Sequence, residues 1–205
     1  MAVSGLRRAM LAFGLAVLAG CGETYQTSYS DPVSASVTRG WRIVDVRVDV
    51  PESVTVSEAH SFLPQADIVW REDPPGDRKV QVAKIVADAA RAASGPLRGA
   101  RPVVLSLTLT RFHALTFEAE TRLSGVGVHN ISFVLSARDA RTGELLAGPD
   151  SVDADLPAYS GTQMTELRVR GQTQRSQISA HLRAVFAGWL GIGPDVRGSF
   201  SRAGD

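Results

Sequence analysis

Two long segments in which apolar and polar residues alternate constrain the fold most strongly. The segment RPVVLSLTLTRFHALTF (residues 101–117) places every second residue from Val103 to Leu109 on one side of an extended chain. The segment VGVHNISFVLSARD (residues 126–139) repeats this pattern from Ile131 onward. A period of two residues is typical of a β-strand with one buried face. We therefore expect a sheet that is covered on one side.

Three shorter stretches add strands to this sheet. WRIVDVRVDVP (residues 41–51) alternates, with its valines on one face from Val44 onward, and proline ends it. ADIVW (residues 66–70) is typical of a short buried strand. A turn with Gly143 in a left-handed conformation leads into a further short strand at residues 144–147.

Two helices are expected. Asp77 is a good N-cap for a helix over residues 78–94, whose many alanines favour close packing and which Gly95 ends. A second helix is predicted over residues 165–190 from an apolar stripe at helical spacing. Residues 148–163 between the last strand and this helix are predicted to be irregular.

These elements predict an α+β fold, with a mostly antiparallel sheet of about four to five strands and two helices packed on one face. A single domain is expected over residues 41–193. Residues 21–40 are rich in Ser and Thr and predict a flexible tether of up to about 60 Å. Residues 194–205 are expected to be a disordered tail.

Composition limits the possible partners. The 205 residues include 22 basic and 21 acidic side chains, a net charge of +1, so the chain has no strong field toward nucleic acid and we expect no nucleic-acid partner. A hydrophobic fraction of 44% is enough for one core without a metal or a disulfide. No cofactor is predicted.

The first twenty residues have the layout of a secretory signal peptide. Arg7 and Arg8 precede the apolar run MLAFGLAVLA (residues 10–19), and small residues follow it. The run has about half the length that a membrane-spanning helix needs. We therefore expect residues 1–20 to be removed.

The lone cysteine follows this apolar run. Leu18-Ala19-Gly20-Cys21 resembles the lipobox of bacterial lipoproteins. The resemblance implies that Cys21 is lipidated, that the chain is cut before it, and that two or three acyl chains anchor the protein to an envelope membrane facing the periplasm. Gly22 is similar to the pattern that sorts lipoproteins to the outer membrane rather than the inner one. An ordinary signal peptide or a buried free cysteine is the alternative.

Two further segments carry a family resemblance. ADIVWREDPPGDR (residues 66–78) and RDARTGELL (residues 138–146) resemble an uncharacterised family of Gram-negative envelope lipoproteins, a domain of unknown function, over residues 40–190. The element order is distantly similar to auxiliary lipoproteins of ABC-type transporters. Neither likeness implies an activity, because architecture alone does not establish function.

The first candidate site is the proline-stiffened loop after the short strand. Trp70, Arg71, Glu72 and Asp73 combine an aromatic ring, a cation and carboxylates, a mixture that suits a partner-binding surface. The alternative is that the aromatic residue packs and that Asp77 only caps the helix. A pair of carboxylates in this loop would also suit acid–base catalysis if a cleft and a shifted pKa were present.

A metal site is a second alternative. His113 and His129 lie on consecutive strands and are expected to approach each other across the hairpin, with Glu118 or Glu120 as a third ligand. The competing interpretation is that both histidines are half-buried strand residues.

The terminal helix offers a third candidate surface. Arg168, Arg170, Arg175 and Arg183 would contact lipid headgroups or peptidoglycan, or would form the solvated face of an amphipathic helix.

The sequence therefore favours a non-enzymatic, membrane-anchored envelope lipoprotein that binds a periplasmic or membrane protein partner in transport or envelope assembly. Two alternatives stay open. One is a periplasmic hydrolase that uses carboxylates of residues 66–77, and the other is a carrier of a hydrophobic ligand.

Overall fold

A computed structural model describes residues 24–125 and 127–201. Within these ranges there are eight strands and five helices. The strands are β1 (Thr24–Ser28), β2 (Trp41–Asp49), β3 (Ile68–Val69), β4 (Arg101–His113), β5 (Val128–Asp139), β6 (Leu145–Ala154), β7 (Leu156–Pro157) and β8 (Gly198–Ser201). The helices are α1 (Ala35–Thr38), α2 (Arg78–Ser94), α3 (Phe117–Arg122), α4 (Gly161–Val169) and α5 (Gln174–Trp189).

The strands form one open sheet in the order β2-β4-β5-β6-β1-β8, with β3 added to β4 and β7 added to β5. β4, β5 and β6 form an antiparallel meander. β2 is parallel to β4, and α2 lies in the connection between them. The α+β class and the mostly antiparallel sheet are confirmed, whereas four to five strands and two helices is an undercount.

Part of the undercount comes from the two ends of the chain. β1 pairs with both β6 and β8, and Tyr25 of β1 stacks on Phe200 of β8. Residues 24–28 are thus part of the sheet rather than of a flexible tether, and residues 198–201 are not a disordered tail. Both strands are held by main-chain hydrogen bonds, which need no apolar alternation, so the sequence pattern does not reveal them.

The segment predicted to be irregular is largely regular. β6 runs from Leu145 to Ala154 through Gly148 and Pro149, which look like turn residues in the sequence. Gly148 has a φ of +76°, and a Cβ there would lie 2.4 Å from the carbonyl oxygen of Leu135. The glycine therefore permits a local irregularity in the pairing with β5 instead of ending the strand.

The single terminal helix predicted over residues 165–190 is two helices. α4 ends before Gly171, whose φ of +76° breaks the helix. α5 then restarts with a capping box, in which Thr173 and Ser176 each satisfy the other's backbone N–H.

The core lies between the sheet and the pair α2 and α5. α2 contributes a surface of small and branched side chains, and Phe186 of α5 stacks on Phe133 of β5 with ring centroids 5.4 Å apart. In β2 the valine alternation is broken, because a bulge between Ile43 and Asp45 turns Val44 outward while Val46 stays buried. None of the helices in the described ranges has the length and apolarity needed to span a bilayer.

Candidate functional site

The loop after β3 is anchored by a buried tryptophan. Trp70 is completely buried and packs edge-on against Phe112 of β4. Its indole Nε1 donates a 2.8 Å hydrogen bond to Oδ2 of Asp73. Arg175 of α5 lies over the indole ring, 5.5 Å from its centroid, and donates to the same carboxylate. The Trp70 ring, the Asp73 carboxylate and the Arg175 guanidinium thus all contact one another.

Glu72 serves the start of α5. Its carboxylate accepts hydrogen bonds from the backbone N–H groups of Gln174 and Arg175, at 3.2 and 2.5 Å. These groups belong to the first turn of the helix and have no partner within it. A carboxylate at this position also complements the positive end of the helix dipole.

Arg71 is hydrogen-bonded to Glu58 and His60, which precede the loop in the chain. It donates to the backbone oxygen of Glu58 at 2.9 Å and to the carboxylate of the same residue, and its Nη2 lies 3.0 Å from Nε2 of His60. Arg78 of α2 holds the second oxygen of Glu58 at 2.6 Å. All four residues predicted to bind a partner are thus engaged inside the fold. Partner binding by them stays a prediction, and their bonding favours the packing alternative.

The carboxylates of this loop are placed as structural groups. Asp77 caps α2, as expected, by accepting from the N–H of Val80 at 3.2 Å. Burial raises the pKa of Asp73, but hydrogen bonds from Trp70 and Arg175 outweigh it and hold the pKa below its ordinary value. An acid with fixed donors and a lowered pKa is a poor proton acceptor, so this geometry gives no support to the hydrolase alternative.

A buried ion pair that the sequence analysis missed lies beside this loop. Glu120 of α3 is buried and accepts two hydrogen bonds from Arg168 of α4, at 2.7 and 2.8 Å. Arg168 also reaches Glu72 at 3.0 Å, and Gln174 donates to Glu120. Arg168 and Arg175 were both predicted to face lipid or solvent. Both form ion pairs within the fold, Arg168 with Glu120 and Arg175 with Asp73.

We call this set the Trp70 cluster. Its members link the loop after β3 to α3, α4 and α5, and each charge in it faces an opposite charge. They are Trp70, Glu72, Asp73, Glu120, Arg168, Gln174 and Arg175.

The predicted histidine pair is offset by one residue. In the register of β4 and β5, His113 stands opposite Asn130, whereas His129 pairs with Leu156 of β7. His129 is completely buried, and burial together with His181 and His113 lowers its pKa to about 3. Glu120 is committed to Arg168, and no cluster of three metal-binding side chains occurs in residues 24–125 and 127–201.

An open cleft lies at the end of β4 and β5. Its volume is about 760 Å³, within the range of small-molecule sites. Arg111, His113 and Asn130 contribute polar side chains to it. Apolar walls come from the loop before β3, from α3 and from the segments flanking α3; these residues include Phe62, Leu63, Leu115, Ala119 and Leu123. Tyr25 of β1 also lines the cleft.

The cleft was not visible in the sequence, because its residues come from five separate segments. The one available signal was the RFH tripeptide at residues 111–113, where two polar residues interrupt an apolar strand pattern. The predicted anchor residue Cys21, with the whole lipobox and signal segment, lies outside the described residues.

The fold and the cleft define an α+β domain with an open mixed sheet, two covering helices and a polar-floored groove. The chain belongs to a family of unknown function, DUF6778, whose model matches residues 41–205. No curated protein matches it.

Solved structures show distant likenesses. A point variant of the PelC dodecamer from Paraburkholderia phytofirmans is 13% identical over 82% of this chain and 98% of its own, with a TM-score of 0.40. A candidate lipoprotein from Caulobacter crescentus is 14% identical over 53% and 82%, with a TM-score of 0.33. A Xanthomonas campestris protein assigned to the family DUF330 is 13% identical over 78% and 84%, with a TM-score of 0.43. These are likenesses of architecture and say nothing about activity.

Proposed function

We propose that this protein is a lipid-anchored envelope lipoprotein, not an enzyme, whose domain binds a protein partner in transport or envelope assembly. The anchor is Cys21, in the outer membrane. The observation that carries partner binding is that strongly exposed apolar side chains lie on α3 and on two segments that contact it. Large exposed apolar patches on a domain mark interaction surfaces.

Three members of this group protrude furthest. Leu63 is 75% exposed, Phe117 is 69% exposed and Val169 is 85% exposed. Their segments contact α3 or belong to it. Thr116, the N-cap of α3, donates to the carbonyl of Ser61 at 2.8 Å, and α4 is joined to α3 by the ion pair described above. We call this surface the α3 surface.

The proposed anchor is close in sequence to the first strand. Because β1 begins at Thr24, only Gly22 and Glu23 lie between Cys21 and the sheet. At about 3.3 Å per residue, the domain is held within about 10 Å of the lipidated residue rather than at the end of a 60 Å tether. The partner is therefore expected at the membrane surface.

Site-specific photocrosslinking in native membranes tests the α3 surface. A photoreactive phenylalanine analogue at position 117 is expected to capture one discrete partner band. The matched control is the same analogue at Val44, which is 50% exposed on β2 beside residues 103 and 104, at the end of β4 opposite to α3. Equal capture at both positions, or none at position 117, would overturn the proposal.

Fractionation tests the anchor separately. Cys21→Ala is expected to leave an unprocessed chain that is absent from the lipoprotein fraction of the outer membrane. If the variant is processed and fractionates like the wild-type protein, the anchor assignment is wrong. That outcome would leave the α3 surface to be judged on its own crosslinking result.

A further inference from the structure

The floor of the cleft holds an arginine that forms no ion pair in the described residues and interacts with Asp67 only at longer range. Five arginines in the described residues are buried or half-buried. Four of them form ion pairs with carboxylates: Arg71, Arg78, Arg101 and Arg175. Arg111 is the fifth. Among residues 24–125 and 127–201 no carboxylate oxygen lies within 4.0 Å of it, and its Nε is buried without an acceptor.

A bulge in β4 sets this arrangement. The register with β5 shifts between Leu109 and Arg111, which leaves Thr110 exposed. Beyond the bulge Phe112 points into the core, so Arg111 and His113 lie on the opposite, cleft side of the strand. The positioning of the cation is therefore built into the sheet.

His113 does not add a second positive charge. Nη2 of Arg111 lies 3.3 Å from Nδ1 of His113, and because a guanidinium only donates, this nitrogen must accept. Burial, and then the neighbouring Arg111, lower the pKa of His113, while a backbone hydrogen bond at Ala66 partly opposes them. The histidine is neutral near pH 7, and its role is to orient the guanidinium.

The other charges around the cleft are of both signs. Asp67 lines the cleft, and the N–H and hydroxyl of Thr55 hold its Oδ2 at 2.9 and 2.7 Å. These bonds, with a smaller contribution from the charge of Arg111, lower the pKa of Asp67. Arg122 stacks over Phe62 of the cleft wall, with its guanidinium 5.7 Å from the centroid of the ring. Arg111 is thus the arginine that lines the cleft, and its buried Nε has no acceptor among the described residues.

The apolar side chains of the cleft suit an anion that carries a hydrocarbon chain. Phe62, Leu63, Leu115 and Leu123 contribute apolar side chains to a lining that is otherwise largely polar. Gly127 lets Leu115 pack closely against the chain here, because a Cβ there would lie 2.8 Å from a methyl group of Leu115. A ligand that filled this groove would bury hydrocarbon and pair the guanidinium in one step.

We propose that this cleft binds a single-chain amphiphile with an anionic head. The carboxylate or phosphate of the head pairs with Arg111, and the acyl chain lies along Phe62, Leu63, Leu115 and Leu123. Tyr25 lines the cleft four residues after Cys21, so if the anchor is as proposed the mouth is about 13 Å from the membrane, the source of such molecules.

Competition for a photoreactive fatty acid tests this. The full mature protein, reconstituted in phosphatidylcholine nanodiscs, is labelled with a diazirine analogue of dodecanoate, and the modified residues are mapped by mass spectrometry. We expect labels on the cleft walls. Dodecanoate or dodecyl phosphate should displace the probe at least about tenfold better than dodecanol, which has the same chain and no charge. The better of the two anions identifies the head group.

Two variants and one control complete the test. Arg111→Gln should remove the preference for anions over dodecanol, and Leu63→Asp, at an exposed wall position, should weaken all three competitors. Arg183→Gln, an exposed arginine on α5, should behave like the wild-type protein. Thermal melts confirm that each variant is folded. Equal competition by dodecanol, labels outside the cleft, or an unchanged preference in Arg111→Gln would each overturn the proposal, whatever the fate of Cys21.

Discussion

The Trp70 cluster and the cleft floor are neighbouring regions that treat charge in opposite ways. In the cluster, Asp73 faces Arg175 and Glu120 faces Arg168, and the backbone donors at the start of α5 are also used. At the cleft floor, Arg111 has no acid within ion-pair distance in the described part of the chain, and the ring nitrogens of the nearby His129 have no hydrogen-bond partner there.

This difference separates two uses of polar residues. Ion pairs between a largely buried carboxylate and a partly exposed arginine fix the relative positions of a loop and three helices, and removing the arginine leaves the carboxylate uncompensated. An unpaired, half-buried cation does not contribute to stability in this way, because desolvation is not offset. A buried polar group without a partner in a native structure needs a physical explanation. A ligand that pairs with the guanidinium of Arg111 provides one.

The largest expected effect is on the Trp70 cluster. Trp70→Ala removes a fully buried ring and the donor to Asp73, and it should lower the free energy of unfolding by about 3–5 kcal/mol. Trp70→Phe keeps most of the ring and loses only the hydrogen bond, for about 1–2 kcal/mol. Urea denaturation measures both. A loss under about 1 kcal/mol in Trp70→Ala would mean that the cluster does not organise the loop.

The buried histidine should make stability depend on pH. The pKa of His129 is about 3 in the folded protein and about 6.5 when unfolded, so the unfolded chain binds more protons below pH 6.5. Stability should fall as the pH drops, by about 2 kcal/mol between pH 8 and pH 5 from this residue alone. His113 and His181, whose pKa values are also lowered, act in the same direction.

His129→Leu isolates that contribution. Without the titrating ring, the variant should lose part of the pH dependence and be more stable than the wild-type protein at pH 5, as measured by urea denaturation at several pH values. If the variant keeps the full wild-type slope between pH 8 and pH 5, His129 does not contribute to the pH dependence.

The smallest expected effects on stability come from replacing one arginine in each region, and they compare the two regions most directly. Arg175→Gln leaves Asp73 without its cation and should cost about 1 kcal/mol, a modest value because the arginine is partly exposed. Arg111→Gln removes a charge that has no ion-pair partner in the described residues and should be neutral or slightly stabilising in the ligand-free protein. Thermal melts at one pH compare the two variants. Equal destabilisation by both would show that Arg111 has a structural partner after all.

Local pattern was a good guide where periodicity and burial coincide. The alternation in residues 101–117 and 126–139 predicted β4 and β5, and Asp77 predicted the start of α2. The same pattern misplaced Val44, because a bulge changes which face a side chain takes without changing the sequence period.

Candidate sites were harder to predict than strands. The loop at residues 70–73 has the composition of a binding surface, but contacts with residues about a hundred positions later in the chain decide that its side chains are used internally. The reverse holds for Arg111. It looks like an ordinary strand residue in the sequence, and only the folded structure shows that it has no ion-pair partner in the described residues.

By itself, the sequence determined the α+β class, the two long strands, the helix that Asp77 caps and the expectation of an anchor at Cys21. Local hydrogen bonding and side-chain periodicity are sufficient for the first three, and a short contiguous motif for the last. Only the tertiary structure decided that β1 and β8 extend the sheet, which charges are paired, and where a cleft opens. Those outcomes depend on main-chain pairing and on contacts between distant segments, which no local pattern records.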